Sequence, residues 1–506
     1  MAKQYVLGLD IGTTSTKAVL FTRDGTVVCE QESFYSMYHQ KPGWAEQDPQ
    51  EIEAALLHAI KLVVHNSKVS VKDWLGVGFS AAMHSLLCLD EKGSVLSPVL
   101  IWADLRSEMQ AAKVREQQTD IYKRTGTPIH PMSPLVKLIW MKEKEYEPYK
   151  QAAYFVSMKE YLCWKWFGEK LVDYATASAS GLFDIRTFTW DKETLQLAGV
   201  SEEQLFAPVE PTTVLSCMKP DISKQLGLPP SLPFVIGATD GPLANLGIGS
   251  VDETSTAITI GTSGAIRQFR NSPTLSENQR SFCYAFTKNR WITGGPTNNG
   301  AVVIDWLKSE IIADKTRSVE AYIKLAEGVS PGANGLLFLP FLLGERAPYW
   351  DATARASFIG LTHHHKQGHL VRACLEGVIL NMYTIATSVF KEGTKANKIY
   401  ASGGFARSSL WLQILADVFE QTVVVPTTHQ SSAWGAAWIA LYSLGEVSSI
   451  EGIHSSISFE KEVFPMKEHA LFYKQLYLVF ANLYEQLHGT FQQLRLLEQH
   501  TFNLKE

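Results

Sequence analysis

The segment Leu7-Gly8-Leu9-Asp10-Ile11-Gly12-Thr13-Thr14-Ser15-Thr16-Lys17 decides how this chain folds. A short apolar run starting at Tyr5 ends on the carboxylate of Asp10 and breaks at a turn of glycine and hydroxyl residues. It resumes at Ala18-Val19-Leu20-Phe21 before the turn Asp24-Gly25. Apolar runs of that length, punctuated by turn residues, predict an antiparallel β-meander. A related pattern, Thr256-Ala257-Ile258-Thr259-Ile260-Gly261-Thr262-Ser263-Gly264-Ala265-Ile266-Arg267, returns about 250 residues later, far beyond the period of a short solenoid repeat. Two halves with similar openings are the simplest account.

Around these two anchors, apolar periodicity predicts a helix over 51–66, a strand over 75–80 and a second strand over 86–89 that closes at Glu91-Lys92-Gly93. Pro229-Pro230 and Pro233 precede a strand over 234–239 that ends on Asp240-Gly241, and the domain junction is placed just after it, giving units 1–243 and 244–506. The second half reads as helices over 300–312, 368–390 and 408–419, with a short strand over 398–401 running into Ser402-Gly403-Gly404. Trp434-Gly435-Ala436-Ala437-Trp438 has the small residues that let a helix pack closely. Alternating strands and helices make this an α/β protein.

At 506 residues the chain is about three times the usual single-domain length, so two or more domains are expected. Hydrophobic residues make up 45% and charged residues 19%, the balance of a globular chain rather than a disordered one. Forty-six basic against 51 acidic residues leave a net charge of −5 and no basic footprint for nucleic acid. The six cysteines, Cys29, Cys88, Cys163, Cys217, Cys283 and Cys374, are scattered without a CxxC pair, which fits neither a disulfide framework nor a zinc cluster. The first strand leaves no room for a secretory leader, and no apolar run is read as long enough to span a membrane. A soluble cytoplasmic protein with no membrane partner is expected.

The turn after Asp10 supplies the parts of a phosphate site. Backbone N–H groups around Gly12 and the hydroxyls of Thr13 and Thr14 can hold terminal phosphate oxygens. Lys17 can neutralise their charge, and Asp10 can hold Mg2+ through water. These parts suit ATP, although neither GxxxxGK[ST] nor a GxGxxG after a strand is present. Gly261-Thr262-Ser263-Gly264 repeats the chemistry, so a nucleotide held between two facing halves is expected. Gly403 and Gly404, following a strand, let the backbone approach a flat ligand such as adenine. Asp240, between a strand end and a glycine, is placed to take the proton of an alcohol as its oxygen bonds to phosphorus. His363-His364-His365 invites a metal reading, but three successive residues cannot share one face and a solvated loop is expected.

In this order, 7–17, Gly237-Ala238-Thr239-Asp240-Gly241, 261–264 and Gly403-Gly404 resemble the FGGY family of carbohydrate kinases over nearly the whole chain. The stretch 132–140 looks like one family signature and 357–376 like the other, with Cys374 a less usual choice. The resemblance implies two ribonuclease-H-like lobes of the actin-like ATPase type, with the active site in the cleft between them. It implies Asp10 at the metal, Gly12, Thr13, Thr14, Lys17, Gly261 and Thr262 at the phosphates, and Gly300 beside the nucleotide. Gly403, Gly404 and Ser408 would lie near adenine, and Asp240 would be the base.

Family members bind sugar hydroxyls with the loops found here at 80–85 and 101–107, which carry Met83, His84, Trp102, Asp104 and Arg106. Met132 and Lys159 join them in segments that, like 125–132, 158–161, 173–181, 294–300 and 344–348, look most similar to gluconate-phosphorylating members. Ala82-Met83-His84-Ser85 stands where many xylulose kinases carry Gln-Met-His-Gly. A sugar acid adds one requirement, a fixed cation or several donors for its carboxylate. Arg106, Lys159, Arg267, His84 and His130 are available, and the sequence does not choose among them. The expected activity is ATP-dependent phosphorylation of D-gluconate, with the sugar acid and ATP/ADP as partners and a homodimer left open. A ketose or polyol kinase of the same family and, more distantly, a nucleotide-switched chaperone-like ATPase stay open.

Overall fold

The computed structural model describes residues 4–117, 120–313, 316–390 and 397–503. The opening meander forms as three antiparallel strands, β1 (Tyr5–Ile11), β2 (Ser15–Thr22) and β3 (Val27–Phe34). β4 (Trp74–Ala81) pairs parallel with β1, and β5 (Phe234–Thr239) pairs parallel with β4, giving the order β5-β4-β1-β2-β3. Helix α1 (Pro49–Asn66) starts where the Asp48 side chain accepts from the Gln50 N–H, and buries Ile52, Leu56, Ala59, Ile60 and Val63 against this sheet. Helix α2 (Pro134–Glu143) falls in the long stretch between β4 and β5, and α3 (Asp240–Gly247) follows β5 without an intervening loop.

The second half repeats the plan. β6 (Ser255–Ile260), β7 (Gly264–Arg270), β8 (Phe282–Thr287) and β9 (Arg290–Thr297) form its antiparallel part, while β10 (Lys398–Ser402) and β11 (Thr422–Pro426) continue parallel from β6. With β12 (Phe459–Val463) the order is β8-β9-β7-β6-β10-β11-β12. Each half therefore builds an antiparallel part, then adds parallel strands at the free edge of its first strand. This is the ribonuclease-H-like arrangement, present twice.

Two expectations need correction. The stretch 300–312 is α-helical only over Val302–Trp306 and then widens into a π-type turn, Leu307–Ile311. Helix α4 (Gln367–Val389) is, by length and composition, long and apolar enough to cross a membrane, contrary to the reading that no such run exists. Its apolar content is that of a core helix, since 83% of its most apolar stretch is buried within the protein. The one charged pair inside it, Arg372 with Glu376 at 2.6 Å, is itself buried and accepts a further hydrogen bond from the Tyr473 hydroxyl at 2.7 Å.

After α5 (Ser409–Phe419), the small-residue helix α6 (Ser431–Ser443) crosses to the first sheet. A Cβ on Gly8 would stand 2.0 Å from the Ala433 carbonyl oxygen, and one on Gly78 2.0 Å from that of Ala436. Only glycine on β1 and β4 admits the helix backbone so closely. The same helix packs on α3, so the strand end carrying Asp240 is buttressed by both halves of the chain.

Candidate active site

A cavity of about 440 Å³ opens between the two sheets, with Thr13, Met83, His84, Trp102, Met132 and Asp240 on one wall and Gly261, Thr262, Arg267, Tyr284 and Arg346 on the other. Its floor is made by the two hairpins. In the first, Gly12 N–H donates to the Ser15 carbonyl at 3.0 Å, and the Tyr35 hydroxyl braces both the Gly12 and Ser15 carbonyls from behind. Thr13 turns into the cavity, its hydroxyl accepting from Trp102 Nε1 at 3.0 Å. Thr14 is exposed, and half-buried Lys17 sits opposite Asp10 in the β1–β2 register, 4.0 Å from Glu32.

In the second hairpin Gly261 N–H donates to the Ser263 carbonyl at 2.9 Å, and the chain at Gly300 and Ala301 closes over it with N–H bonds to Thr262 and Gly261. A Cβ on Gly300 would lie 2.5 Å from the Gly261 carbonyl oxygen and 2.6 Å from that of Ser263. Gly300 is thus glycine so that the second hairpin can be clamped. Gly403 (φ +97°) packs on β6, whereas a Cβ on Gly261 or Gly404 would meet nothing within 4 Å, so both backbones face open space. Ser408 caps α5, accepting from the Trp411 N–H at 3.2 Å, which already accounts for its side chain.

The two hairpins differ at one chemically decisive point. Asp10 lies beside Ser80 across β1–β4, and the Ser80 hydroxyl donates to its carboxylate at 2.7 Å. The matching pair in the second half is Thr259 with Ser402, two hydroxyls 2.8 Å apart. Only the first hairpin therefore brings a carboxylate to the cleft. Burial raises the pKa of Asp10 above the usual carboxylate range, against the Ser80 bond and the Lys17 charge.

Asp240 occupies the first turn of α3, where unpaired backbone N–H groups favour an anion. Burial pushes its carboxyl up to about 6, the Asp10 charge adds to the rise, and the Arg267 guanidinium opposes it. Two desolvated carboxylates that repel each other are a donor pair whose charge a divalent cation would offset. Gly241 keeps this corner clear, since a Cβ there would come within 2.5 Å of Met83 Cε and 3.0 Å of Arg267 Nε.

Met83, His84, Trp102 and Met132 reach the cleft, and one buried side chain explains how. Lys137 on α2 spends its three N–H donors on the carbonyls of His84 (2.9 Å), Ile101 (2.8 Å) and Met132 (2.7 Å), knotting three loops together. Asp104 and Arg106 do not line the cleft. Their side chains form a buried ion pair at 2.8 Å that also engages Glu46 at 2.6 Å, with the guanidinium 3.6 Å from the Trp44 ring. Lys159 is likewise consumed by Asp173 at 2.6 Å in the interior.

Comparison with known proteins agrees with this architecture. Residues 5–247 match the N-terminal domain of the FGGY family of carbohydrate kinases, and residues 256–444 match its C-terminal domain. The chain belongs to the FGGY family of carbohydrate kinases. It is 40% identical to a gluconokinase of Bacillus subtilis (strain 168) over 97% of both chains. It superimposes at a TM-score of 0.94 and 32% identity on a gluconate kinase from Lactobacillus acidophilus, covering 97% of this chain and 99% of that one. A ligand-bound xylulose kinase from the same organism gives the same values. This FGGY kinase is thus a phosphotransferase acting on an alcohol, in a family that uses ATP.

Among the wall residues of this FGGY kinase that escaped the sequence reading as site residues are Tyr284, Phe282 and Arg346. Tyr284 and Phe282 stack at 4.5 Å on β8, a strand without a motif. Arg346 belongs to 344–348, a stretch noted above for its similarity to gluconate-phosphorylating members but without a site role for its arginine. Its neighbour Glu345 is anchored by the Thr297 hydroxyl at 2.6 Å and Asn381 Nδ2 at 2.7 Å, and this anchor aims Arg346 over the Trp102 ring. His363, His364 and His365 lie in an exposed loop segment, and among the described residues no cluster of metal-ligating side chains is found.

Proposed function

We propose that this FGGY kinase transfers the terminal phosphoryl group of ATP to the 6-hydroxyl of D-gluconate, giving 6-phospho-D-gluconate for the pentose phosphate pathway. The observation that carries the reading is the convergence of Asp240, Thr13 and Thr262 on one cavity, a base candidate facing two phosphate-type hairpins. The choice of acceptor is supported by the kinship at 40% identity with a gluconokinase and by arginines on the cavity wall, which a neutral ketose does not require.

In this reading the units 1–243 and 244–506 supply the acceptor wall and the nucleotide wall. Asp240 accepts the hydroxyl proton as the oxygen forms its bond to phosphorus. Trp102, Tyr284 and Phe282 keep bulk water from the reacting oxygen. Thr13, Thr262 and the N–H groups of both hairpins orient the phosphates, and Gly404 leaves room for the adenine. Asp10 would hold Mg2+, which supplies charge neutralisation on the transferring group. Free cysteines at all six positions suit a reducing compartment, the cytoplasm.

Coupled ATP consumption with gluconate, xylulose, glycerol and glucitol tests the acceptor directly. Gluconate is expected to give the highest kcat/KM, and a neutral winner would leave the fold intact and replace the substrate. The pH dependence provides a second check. Asp240 must be ionised to act as base, so kcat/KM for gluconate is expected to fall as pH drops through about 6 and to level off above it. An acid limb centred near pH 4 would mean that an ordinary carboxylate is titrating.

A further inference from the structure

Of the cations open to the sequence reading, the structure leaves few for an acid. Arg106 and Lys159 already hold buried carboxylates. His84 Nδ1 donates to the Ala179 carbonyl at 2.7 Å, and His130 Nδ1 accepts from the Met132 N–H at 3.1 Å. Burial depresses both imidazoles, that of His84 to about 3, so neither is a cation at neutral pH. Arg267 remains, and the fold sets Arg346 beside it on the same wall of the cavity, with Tyr284 close enough to feel both charges.

These three side chains share a deficit at the cavity wall. Arg267 Nε, Arg346 Nε and the Tyr284 hydroxyl are all buried, and none has a hydrogen-bond partner within the protein. Buried donors left unmade are costly, and the two neighbouring guanidinium groups repel each other, an effect that the nearby Asp240 and Glu345 carboxylates oppose. The Tyr284 ring cannot swing away to water, because it is stacked on Phe282 at 4.5 Å and is 1% exposed. An anion with several acceptor lone pairs satisfies every member of such a cluster, and the planar guanidinium fork matches a carboxylate edge to edge. A neutral hydroxyl could meet the hydrogen bonds but not the charge.

We infer that Arg267, Arg346 and the Tyr284 hydroxyl form the receptor for the carboxylate of the acceptor, with Arg267 selecting an acid over a neutral polyol. This rests on the sugar-acid kinase reading above and assigns its specificity to the nucleotide-side lobe rather than to the 80–85 and 101–107 loops. Recognition from that wall makes the acceptor bridge both lobes.

Calorimetric binding of D-gluconate and of uncharged D-gluconamide to the full-length protein tests the receptor. The wild type and the variants Arg267→Leu, Arg267→Lys and Tyr284→Phe would be compared, each also titrated with ATP. The wild type is expected to prefer the acid by about 10²-fold, and Arg267→Leu to erase most of that preference, as expected for a lost charge-assisted pair. Arg267→Lys should restore part of it, and Tyr284→Phe should weaken gluconate a few-fold, in line with one neutral hydrogen bond. An undiminished preference in Arg267→Leu overturns the receptor. So does a loss of ATP affinity in place of gluconate affinity, which would give the arginines to phosphate. A fall in kcat with gluconate binding unmoved would tie Arg267 to Asp240 alone and equally overturn it. Wild-type protein that binds no gluconate would instead remove the proposed substrate itself.

Discussion

Asp240→Asn is expected to lower kcat for gluconate by roughly 10²–10⁴-fold, the usual yield of a positioned general base, with ATP affinity little changed. The carboxylate sits on the first turn of α3, with its backbone fixed by β5 before it and α6 beside it, so the amide should occupy the same place without rearranging the cleft. What is lost is the acceptor for the hydroxyl proton. Relief of the repulsion between Asp10 and Asp240 should even favour the fold slightly, because the native carboxylate is held above its ordinary pKa by burial and by that neighbour. Single-turnover kinetics alongside nucleotide titration checks this pair of effects. Wild-type turnover in the variant would take the role of base away from Asp240.

The second large effect is expected far from any reacting atom. Lys137→Met leaves three carbonyls, those of His84, Ile101 and Met132, without the ammonium that joins them. Burial holds the Lys137 pKa down to about 7, so the native protein already bears the cost of desolvating this cation, and the substitution removes that cost along with the three bonds. The net loss of stability should be about 1–3 kcal/mol, as for other breaks in a buried polar network. The larger consequence is for the acceptor. With its three loops untied, KM for gluconate should rise about tenfold or more while KM for ATP holds, since misplacement of about an ångström is enough to cost catalysis. Measuring both KM values together with thermal unfolding separates a loosened pocket from a protein that is merely less stable, and equal KM values in the two proteins would show that the loops stand without the knot.

The resemblance between the two hairpins was legible because it is a local property. A strand, a carboxylate or hydroxyl, a glycine and a threonine carry their geometry wherever the chain puts them, so β1–β2 and β6–β7 form where the pattern places them. The same holds for Asp240, whose position at a strand end follows from the apolar run before it and the glycine after it. Helix α4 was legible as a helix but not as a long apolar run, and because an all-round apolar helix has one composition whether it meets lipid or protein, only its burial decides between them. Ser408 shows the limit again, since a hydroxyl beyond a Gly-Gly turn serves as a ligand or as a helix cap according to which N–H groups lie within its reach.

By itself, the sequence determined the α/β class, the doubled plan with its two glycine-hydroxyl turns, and the membership of the chain in a kinase family, because these rest on residues close together along the chain. Tertiary structure alone decided which charges are free to meet a substrate. Arg106 finds Glu46 at a separation of 60 positions, Lys159 finds Asp173, and Arg346 arrives beside Arg267 from a distant turn. The worth of a charged group is set by its burial and its nearest opposite charge, and both are supplied by segments that no local pattern connects.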